Sequence, residues 1–125
     1  MEIIKNIRKL VKEIYKINFP TEEKYGIQSQ IRRAVISISL NIVEGNSRRS
    51  RKEYLNFCNI AKGSLAEVKE CLEISSDLGF IHKIGRDYII QEHIELISKQ
   101  LFCLIKYLKS ETQNPKSQMP KVNKK

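Results

Sequence analysis

Residues 34–54, AVISISLNIVEGNSRRSRKEY, begin as an apolar run and end as a cluster of positive charge. The hydrophobic residues of this stretch and of the residues before it recur at helical spacing, which predicts a helix over residues 27–44. That helix carries apolar stripes on two opposite sides. One stripe consists of Ile27, Ile31, Ala34, Ile38 and Ile42, and the second, called here the outer stripe, of Ile36, Leu40 and Val43.

The presence of two stripes bears on how the helix is buried. A surface helix of a small monomer needs only one apolar stripe. The first stripe therefore predicts packing into the core of this chain, and the outer stripe predicts an interface with another subunit. The alternative is a central helix that is surrounded on all sides within the monomer.

The positive cluster follows a predicted helix end. Gly45 is typical of a left-handed stop. Ser50 and Glu53 match a capping box, in which the Ser50 side chain accepts from the amide of Glu53 and the Glu53 carboxylate accepts from the amide of Ser50. The cations around this link, called here the link cluster, are Arg32, Arg33, Arg48, Arg49, Arg51 and Lys52. Because arginine suits bidentate phosphate contact, we interpret the cluster as an anion site. A tight basic turn without a ligand is the alternative.

Amphipathic periodicity predicts three further helices, at about residues 2–18, 51–78 and 84–109. Together the helices predict an all-α fold, an antiparallel up-and-down four-helix bundle over residues 1–110. Residues 111–125 hold two prolines and few large apolar side chains. That composition predicts a disordered basic tail.

Single residues inside these helices carry further expectations. Gly79 is expected to end the third helix, and Gly63, which has small neighbours, predicts the close approach of another helix. Asn41 and Glu44 lie beside the apolar stripes of the second helix. They either fix register or assembly state as buried polar groups, or form hydrogen bonds around the helix end at Gly45.

Charge and cysteine content indicate the class of protein. The 125 residues carry a formal net charge of +9, which suits a polyanionic partner and also favours solubility. Cys58, Cys71 and Cys103 form no CxxC pair, so a disulfide framework or a zinc site is not expected. We expect three buried thiols in a reducing cytoplasm. No uncharged run is long enough to span a membrane.

Motifs of catalysis are missing from the sequence: it contains no GxGxxG, P-loop, GxSxG or HExxH. His82 and His93 lack the Glu-x-x-His spacing of carboxylate-bridged metal sites, and Glu92 and Glu95 are expected to lie with His93 on a solvated face. We therefore expect no catalytic residues, no metal and no cofactor. A cysteine–histidine dyad stays open, and a cryptic hydrolase or nuclease is the weakest alternative.

The first predicted helix places cations opposite its apolar stripe. These residues, called here the basic stripe, are Lys5, Arg8, Lys9, Lys12 and Lys16. Like charges four residues apart mildly destabilise a helix, whereas a phosphate backbone rewards such an array through counterion release. The pattern predicts a nucleic-acid-binding surface. An ordinary solvated, lysine-rich face is the alternative.

A set of motifs over about residues 15–82 adds a resemblance to a known family. The matching elements are Tyr25-Gly26, Gln30-Ile31-Arg32-Arg33-Ala34, Asn41-Ile42, Glu44-Gly45, Arg49, Ser50, Ala61, Gly63-Ser64-Leu65, Glu67 and Leu78-Gly79-Phe80-Ile81. Together they resemble the bacterial four-helix-bundle family of 23S rRNA intervening-sequence proteins. The chain departs from many members in its short N-terminus, at Val43, where alanine is usual, and in residues 37–40, which lack a common proline.

The resemblance implies a long bundle that assembles as a ring-like homo-oligomer, a pentamer. The architecture is also similar to the accessory proteins of diversity-generating retroelements, which are basic pentameric barrels that engage nucleic acid. We therefore hypothesise a non-enzymatic, oligomeric bundle whose partners are copies of itself and rRNA or another nucleic acid. The alternative is a protein–protein interaction scaffold, an accessory subunit whose charge serves solubility alone.

Overall fold

The computed structural model describes residues 1–113, which form an all-α bundle of four helical rods with no strand in that range. The first three rods are α1, Glu2–Tyr15; α2, Ile27–Asn46; and α3, Arg51–Asp77. The fourth comprises α4, Lys83–Ile89; a π-helical segment, Ile90–Ile94; and α5, Glu95–Thr112. A short 3-10 turn, Thr21–Glu23, precedes α2. Rods adjacent in sequence pack together, and α5 also packs against α1.

The inner stripes predicted from periodicity form the core of this bundle. The largest side chains with less than 2% exposure come from all four rods. They are Ile7, Leu10, Ile14, Ile31, Ile38, Ile42, Leu72, Ile97, Leu101, Leu108, Val35 and Val68. Burying one such side chain contributes about 1.5–3 kcal/mol. The prediction of one core shared by four amphipathic helices is confirmed.

The link between α1 and α2 begins earlier than the sequence suggested. Helix α1 ends at Tyr15 rather than near residue 18. Phe19 lies in the link after α1 and is buried. Its ring is edge-on to that of Phe80, with 6.3 Å between the ring centroids. Pro20 disfavours the α region at Phe19, the residue before it, so the helix does not resume there.

Gly45 lies within α2, where it packs against α3, and it does not end α2. The helix continues through Asn46, and Gly79 is the one residue of 1–113 with positive φ. A Cβ atom at Gly45 would lie 2.8 Å from both Phe57 Cβ and Tyr54 Cδ1. The prediction of a left-handed stop is therefore wrong, because the missing side chain at Gly45 serves close helix packing.

Both ends of α3 follow their sequence signals. The Ser50 hydroxyl accepts from the backbone amides of Lys52 at 3.1 Å and Glu53 at 3.3 Å. At the other end, Gly79 has φ of 81°, and the Phe80 amide donates to the Ser75 carbonyl at 2.8 Å. This is a Schellman stop, and the expectation for Gly79 is confirmed.

A polar seam runs between α2 and α3. The hydroxyls of Ser37 and Ser64 lie 2.8 Å apart, and Asn41 Nδ2 donates to the Ser37 carbonyl at 2.8 Å. Asn41 thus bonds one turn back along α2 and joins the inter-helix seam. Around Gly63, by contrast, no atom of residues 1–113 beyond its chain neighbours and the backbone of its own turn lies within 4 Å of an added Cβ. The predicted close approach of another helix at Gly63 is wrong for residues 1–113.

The fourth rod is longer and less regular than predicted. It begins at Lys83, widens into the π-helical segment and continues to Thr112, so the first residues assigned to the tail are helical. Ile89 and Ile90 are both buried, although an unbroken α-helix would set adjacent residues about 100° apart. The wider turn accompanies the burial of both side chains. The rest of the predicted tail, residues 114–125, lies outside the described residues.

Candidate nucleic-acid interface

The basic stripe lies on the solvent side of α1. All five of its side chains are exposed. Lys16 forms an ion pair with Glu13 at 3.2 Å, whereas the other four cations make no ion pair with any of residues 1–113. Lys5 and Lys12 are separated by about 10 Å along the helix axis. Four uncompensated charges therefore project from two turns of one helix.

The opposite face of α1 fixes the orientation of this stripe. Ile7 and Leu10 are fully buried, and Asn6 Nδ2 donates to Gln100 Oε1 on α5 at 3.0 Å. Asn6 is 8% exposed, so this bond satisfies a donor that burial would otherwise leave unpaired. Sequence reasoning missed Asn6, whose only signal was its place next to the core residue Ile7. The bond ties α1 to α5 and holds the basic stripe outward.

The structure divides the link cluster. Arg48 Nη2 lies 2.7 Å from Glu44 Oε2, and Nη1 lies 3.6 Å from Glu53 Oε1. The guanidinium also stacks on the Phe57 ring at 4.9 Å. Thus Glu53 meets Arg48 instead of completing the predicted reciprocal cap with the amide of Ser50. The charge of Arg48 is largely compensated by its own chain.

Arg51 is also engaged inside the fold. Its side chain is 15% exposed, and Nε lies 3.5 Å from Glu111 Oε1. Nη1 donates to the Tyr107 hydroxyl at 3.4 Å. Arg51 therefore connects the start of α3 to the end of α5, and its guanidinium is poorly placed for a phosphate. The assignment of Arg51 to a nucleic-acid site stays a prediction. The contacts with Glu111 and Tyr107 give this side chain a structural role as well.

The remaining members of the cluster differ in their surroundings. Arg32 stacks on the Tyr15 ring at 4.3 Å and donates to the Tyr15 carbonyl at 3.5 Å. Arg33 is exposed and donates to Ser29 Oγ at 2.8 Å. Arg49 and Lys52 are exposed and have no side-chain partner among residues 1–113. Three cations, Arg33, Arg49 and Lys52, are therefore open to solvent without a counter-charge in that part of the chain.

The outer stripe is largely exposed. Leu40 is 62% and Val43 51% accessible, whereas Ile36 is half-buried against the core. The alternative in which α2 is surrounded within the monomer is therefore wrong for Leu40 and Val43. Ile60 of α3, the helix most closely packed on α2, is 53% accessible. An interface at the outer stripe stays a prediction.

The cysteine side chains fall into two classes. Cys58 and Cys71 are buried, and Cys103 is exposed, so the expectation of three buried thiols is wrong for Cys103. Burial raises the pKa of Cys58 to about 11 and, in the same way, the pKa of Tyr54 to about 12. The pKa of Cys71 is raised first by burial and then by the charges of nearby glutamates. A high pKa keeps a thiol protonated and weakly nucleophilic near neutral pH.

The histidines have local structural surroundings. His82 Nδ1 accepts from the amide of Ile84 at 3.1 Å and so caps α4. His93 meets the Tyr88 ring edge-on at 5.6 Å. Among residues 1–113, no group of three or more histidine, cysteine or acidic side chains is arranged to hold a metal ion. In the same part of the chain, no helix combines the length and hydrophobicity needed to cross a bilayer.

Comparison with known proteins identifies the family. The family model described as 23S rRNA-intervening sequence protein matches residues 1–103. The chain belongs to this family. A solved structure from Bacteroides thetaiotaomicron, described as a protein of unknown function from the S23 ribosomal protein family, is 25% identical. It superposes with a TM-score of 0.74 over 83% of this chain and 98% of that chain. No curated protein matches significantly. The resemblance noted from the motifs of α2 and α3 is confirmed.

Proposed function

We propose that this member of the 23S rRNA-intervening sequence proteins is a non-enzymatic, oligomeric helical bundle that binds RNA or another nucleic acid. The observation that carries the proposal is the basic stripe of α1. Lys5, Arg8, Lys9 and Lys12 are exposed and make no ion pair with residues 1–113. When such an array neutralises phosphates of a nucleic acid, the counterions condensed on that nucleic acid are released, and their release favours binding.

The surface suits backbone contact better than base recognition. The cations point outward from a rigid helix, and the exposed aromatic residue at the end of α1, Tyr15, already stacks on Arg32. Base stacking on aromatic platforms is thus not offered by this face. The binding expected is electrostatic, steeply dependent on salt and weakly dependent on sequence. Arg49 and Lys52 supply further positive charge around the start of α3, whereas Arg33 lies in the second turn of α2, about 18 Å along the helix axis from Gly45.

We further propose that the outer stripe joins copies of the chain into a ring, a pentamer by the family resemblance. Leu40 and Val43 expose apolar surface on α2, and Ile60 does so on α3. Large apolar side chains that are exposed on neighbouring helices are expected where a protein contact forms. The same surface favours the second candidate function, a scaffold that binds a protein partner. In that case the net charge of +9 would serve solubility.

Fluorescence anisotropy with a labelled, structured rRNA fragment tests the first proposal. The assay compares the wild-type chain with a Lys5/Lys9/Lys12→Glu variant across a salt series. We expect micromolar binding by the wild type and a loss of at least about tenfold in the variant. Each lost phosphate contact should lower the slope of log Kd against log salt by about 0.7–0.9.

The matched control makes the same charge change on other helices. Lys69, Lys83 and Lys99 are exposed on α3, α4 and α5, and their replacement by glutamate leaves the basic stripe intact. Equal loss in both variants would show that net charge alone drives binding. If the wild type does not bind at about physiological salt while remaining assembled, the scaffold function replaces the nucleic-acid function.

A further inference from the structure

A groove of about 390 Å³ lies between α3 and α5, away from the basic stripe of α1. Leu65, Leu101 and Ile105 form its floor and are each at most 7% exposed. Phe102 lines the groove as well and is 66% exposed, which is unusual for so large an apolar ring. The volume lies in the range of about 300–1,000 Å³ that is typical of small-ligand sites.

Positive charge surrounds this apolar floor. Lys62 of α3 and Lys106 and Lys109 of α5 line the groove, are exposed and make no ion pair with residues 1–113. The helix segments on its two sides, residues 54–66 and 96–110, contain no aspartate or glutamate. The groove therefore combines apolar walls with a rim of three lysines that have no ion-pair partner among residues 1–113.

The geometry points to a small amphipathic anion as the occupant, and we propose an aliphatic carboxylate. Its hydrocarbon chain would displace water from the floor, which is the main favourable term. Its carboxylate would lie among the lysines, where each ammonium group offers charge-assisted hydrogen bonds. The stretch of α5 that lines the groove, Ser98–Lys109, rises by about 16 Å, a span that suits an extended alkyl chain.

The last residues of the chain do not suit this groove. Residues 114–125 contain Lys116, Lys121, Lys124 and Lys125 and no aspartate or glutamate. Their charge has the same sign as the rim, so their approach is opposed electrostatically. Charge complementarity therefore favours a separate acidic ligand over this segment.

Isothermal titration with dodecanoate, kept below its micellar concentration, tests the proposal on the full chain. We expect saturable binding, with dodecylammonium of equal chain length weaker by at least about tenfold because its charge is repelled by the rim. Ser98→Trp should abolish binding by filling the groove from an exposed position. Far-ultraviolet circular dichroism would verify that the helices of each variant are intact.

A charge-reversal pair locates the binding on the groove. Lys106→Glu with Lys109→Glu should weaken dodecanoate at least about tenfold. Lys99→Glu, also on α5 but outside the lining, should leave it unchanged. Equal affinity for both amphiphiles, or unaltered binding in Ser98→Trp, would overturn the proposal. So would a result in which the Lys106/Lys109 pair weakens the rRNA fragment but not dodecanoate, because these lysines would then belong to the nucleic-acid surface.

Discussion

A Cβ atom on Gly45 would lie 2.8 Å from Cβ of Phe57, closer than real side chains approach one another. The contact places the end of α2 against the start of α3 and leaves no room for a methyl group. We expect Gly45→Ala to lower the free energy of unfolding by about 1–3 kcal/mol through overpacking. This is the net loss, because alanine gains less than the helix-interior value of about 1 kcal/mol at the second-last residue of α2. Urea titration at fixed protein concentration measures the difference.

Gly63 provides the matched control for that experiment. It also lies inside a helix, but in the described part of the chain no packed neighbour comes within 4 Å of an added Cβ. Gly63→Ala should therefore stabilise the chain by about 1 kcal/mol, the helix-propensity difference. A neutral or stabilising Gly45→Ala would contradict the close packing of α2 on α3. A Gly63→Ala variant that loses a multimer would place Gly63 in a contact between subunits.

The outer stripe gives a prediction about assembly. Leu40 is 62% exposed in the single chain, so Leu40→Asp should leave the fold of the monomer intact. In a subunit interface, the same carboxylate would be buried without a partner, at a cost of several kcal/mol. We expect the variant to be monomeric, at micromolar protein concentration, by size-exclusion chromatography with light scattering.

The comparison variant is Leu96→Asp on α5. Leu96 is 43% exposed and lies outside the outer stripe, so the Leu96→Asp variant should still form the multimer. If the Leu40→Asp protein assembles like the wild type, the outer stripe is not an interface. A wild-type chain that is monomeric under the same conditions would likewise remove the ring proposal.

Alanine variants of Arg51 and Arg49 test which cations of the link cluster stabilise the fold. The Arg51 guanidinium lies 3.5 Å from Glu111 and 3.4 Å from the Tyr107 hydroxyl. Because this group is only 15% exposed, Arg51→Ala should lower the free energy of unfolding by about 1 kcal/mol or more. Arg49 is exposed, and Arg49→Ala should change the free energy of unfolding by less than about 0.5 kcal/mol. Thermal unfolding of the two variants decides; equal melting temperatures would contradict the structural role of Arg51.

How far the sequence predicts this molecule depends on the kind of residue. The core positions of α1 and the Ser50 and Gly79 helix ends were predictable, because periodicity, N-caps and Schellman glycines depend on local chemistry. The role of Gly45 was not, since close packing against Phe57 is a tertiary relationship. The π-helical segment, Ile90–Ile94, had no such local signal in the sequence.

The candidate site divides in the same way. Exposure of the basic stripe follows from helical geometry, so the sequence predicted it correctly. The engagement of Arg48 with Glu44 and of Arg51 with Glu111 could not be read in full from sequence. The first pair has the spacing of i,i+4 neighbours and was detectable in principle. The second pair joins residues that are far apart in the chain, so it could be recognised only from the folded structure.

Cys58 carries a prediction about pH. Burial raises the pKa of Cys58 from 9.0 to about 11, so the folded chain keeps its thiol proton at pH values where the unfolded chain loses it. Stability from this group is therefore complete below pH 9 and declines as the pH rises toward 11. Tyr54, whose pKa is raised from 10.0 to about 12, adds a decline that begins one unit higher. Urea midpoints measured from about pH 8 upward should fall progressively.

Two alanine variants test how much of this decline belongs to the Cys58 thiol. Cys58→Ala should start from a lower stability because of the cavity, yet lose less between pH 9 and pH 10, since the ionising thiol is gone. Cys103 is exposed, so Cys103→Ala should retain the full wild-type decline. Identical slopes for the wild type and Cys58→Ala would mean that the thiol does not govern the alkaline loss. The ionisation of Tyr54 or of Cys71, whose pKa values are also raised by burial, or the general charge balance would then have to account for it.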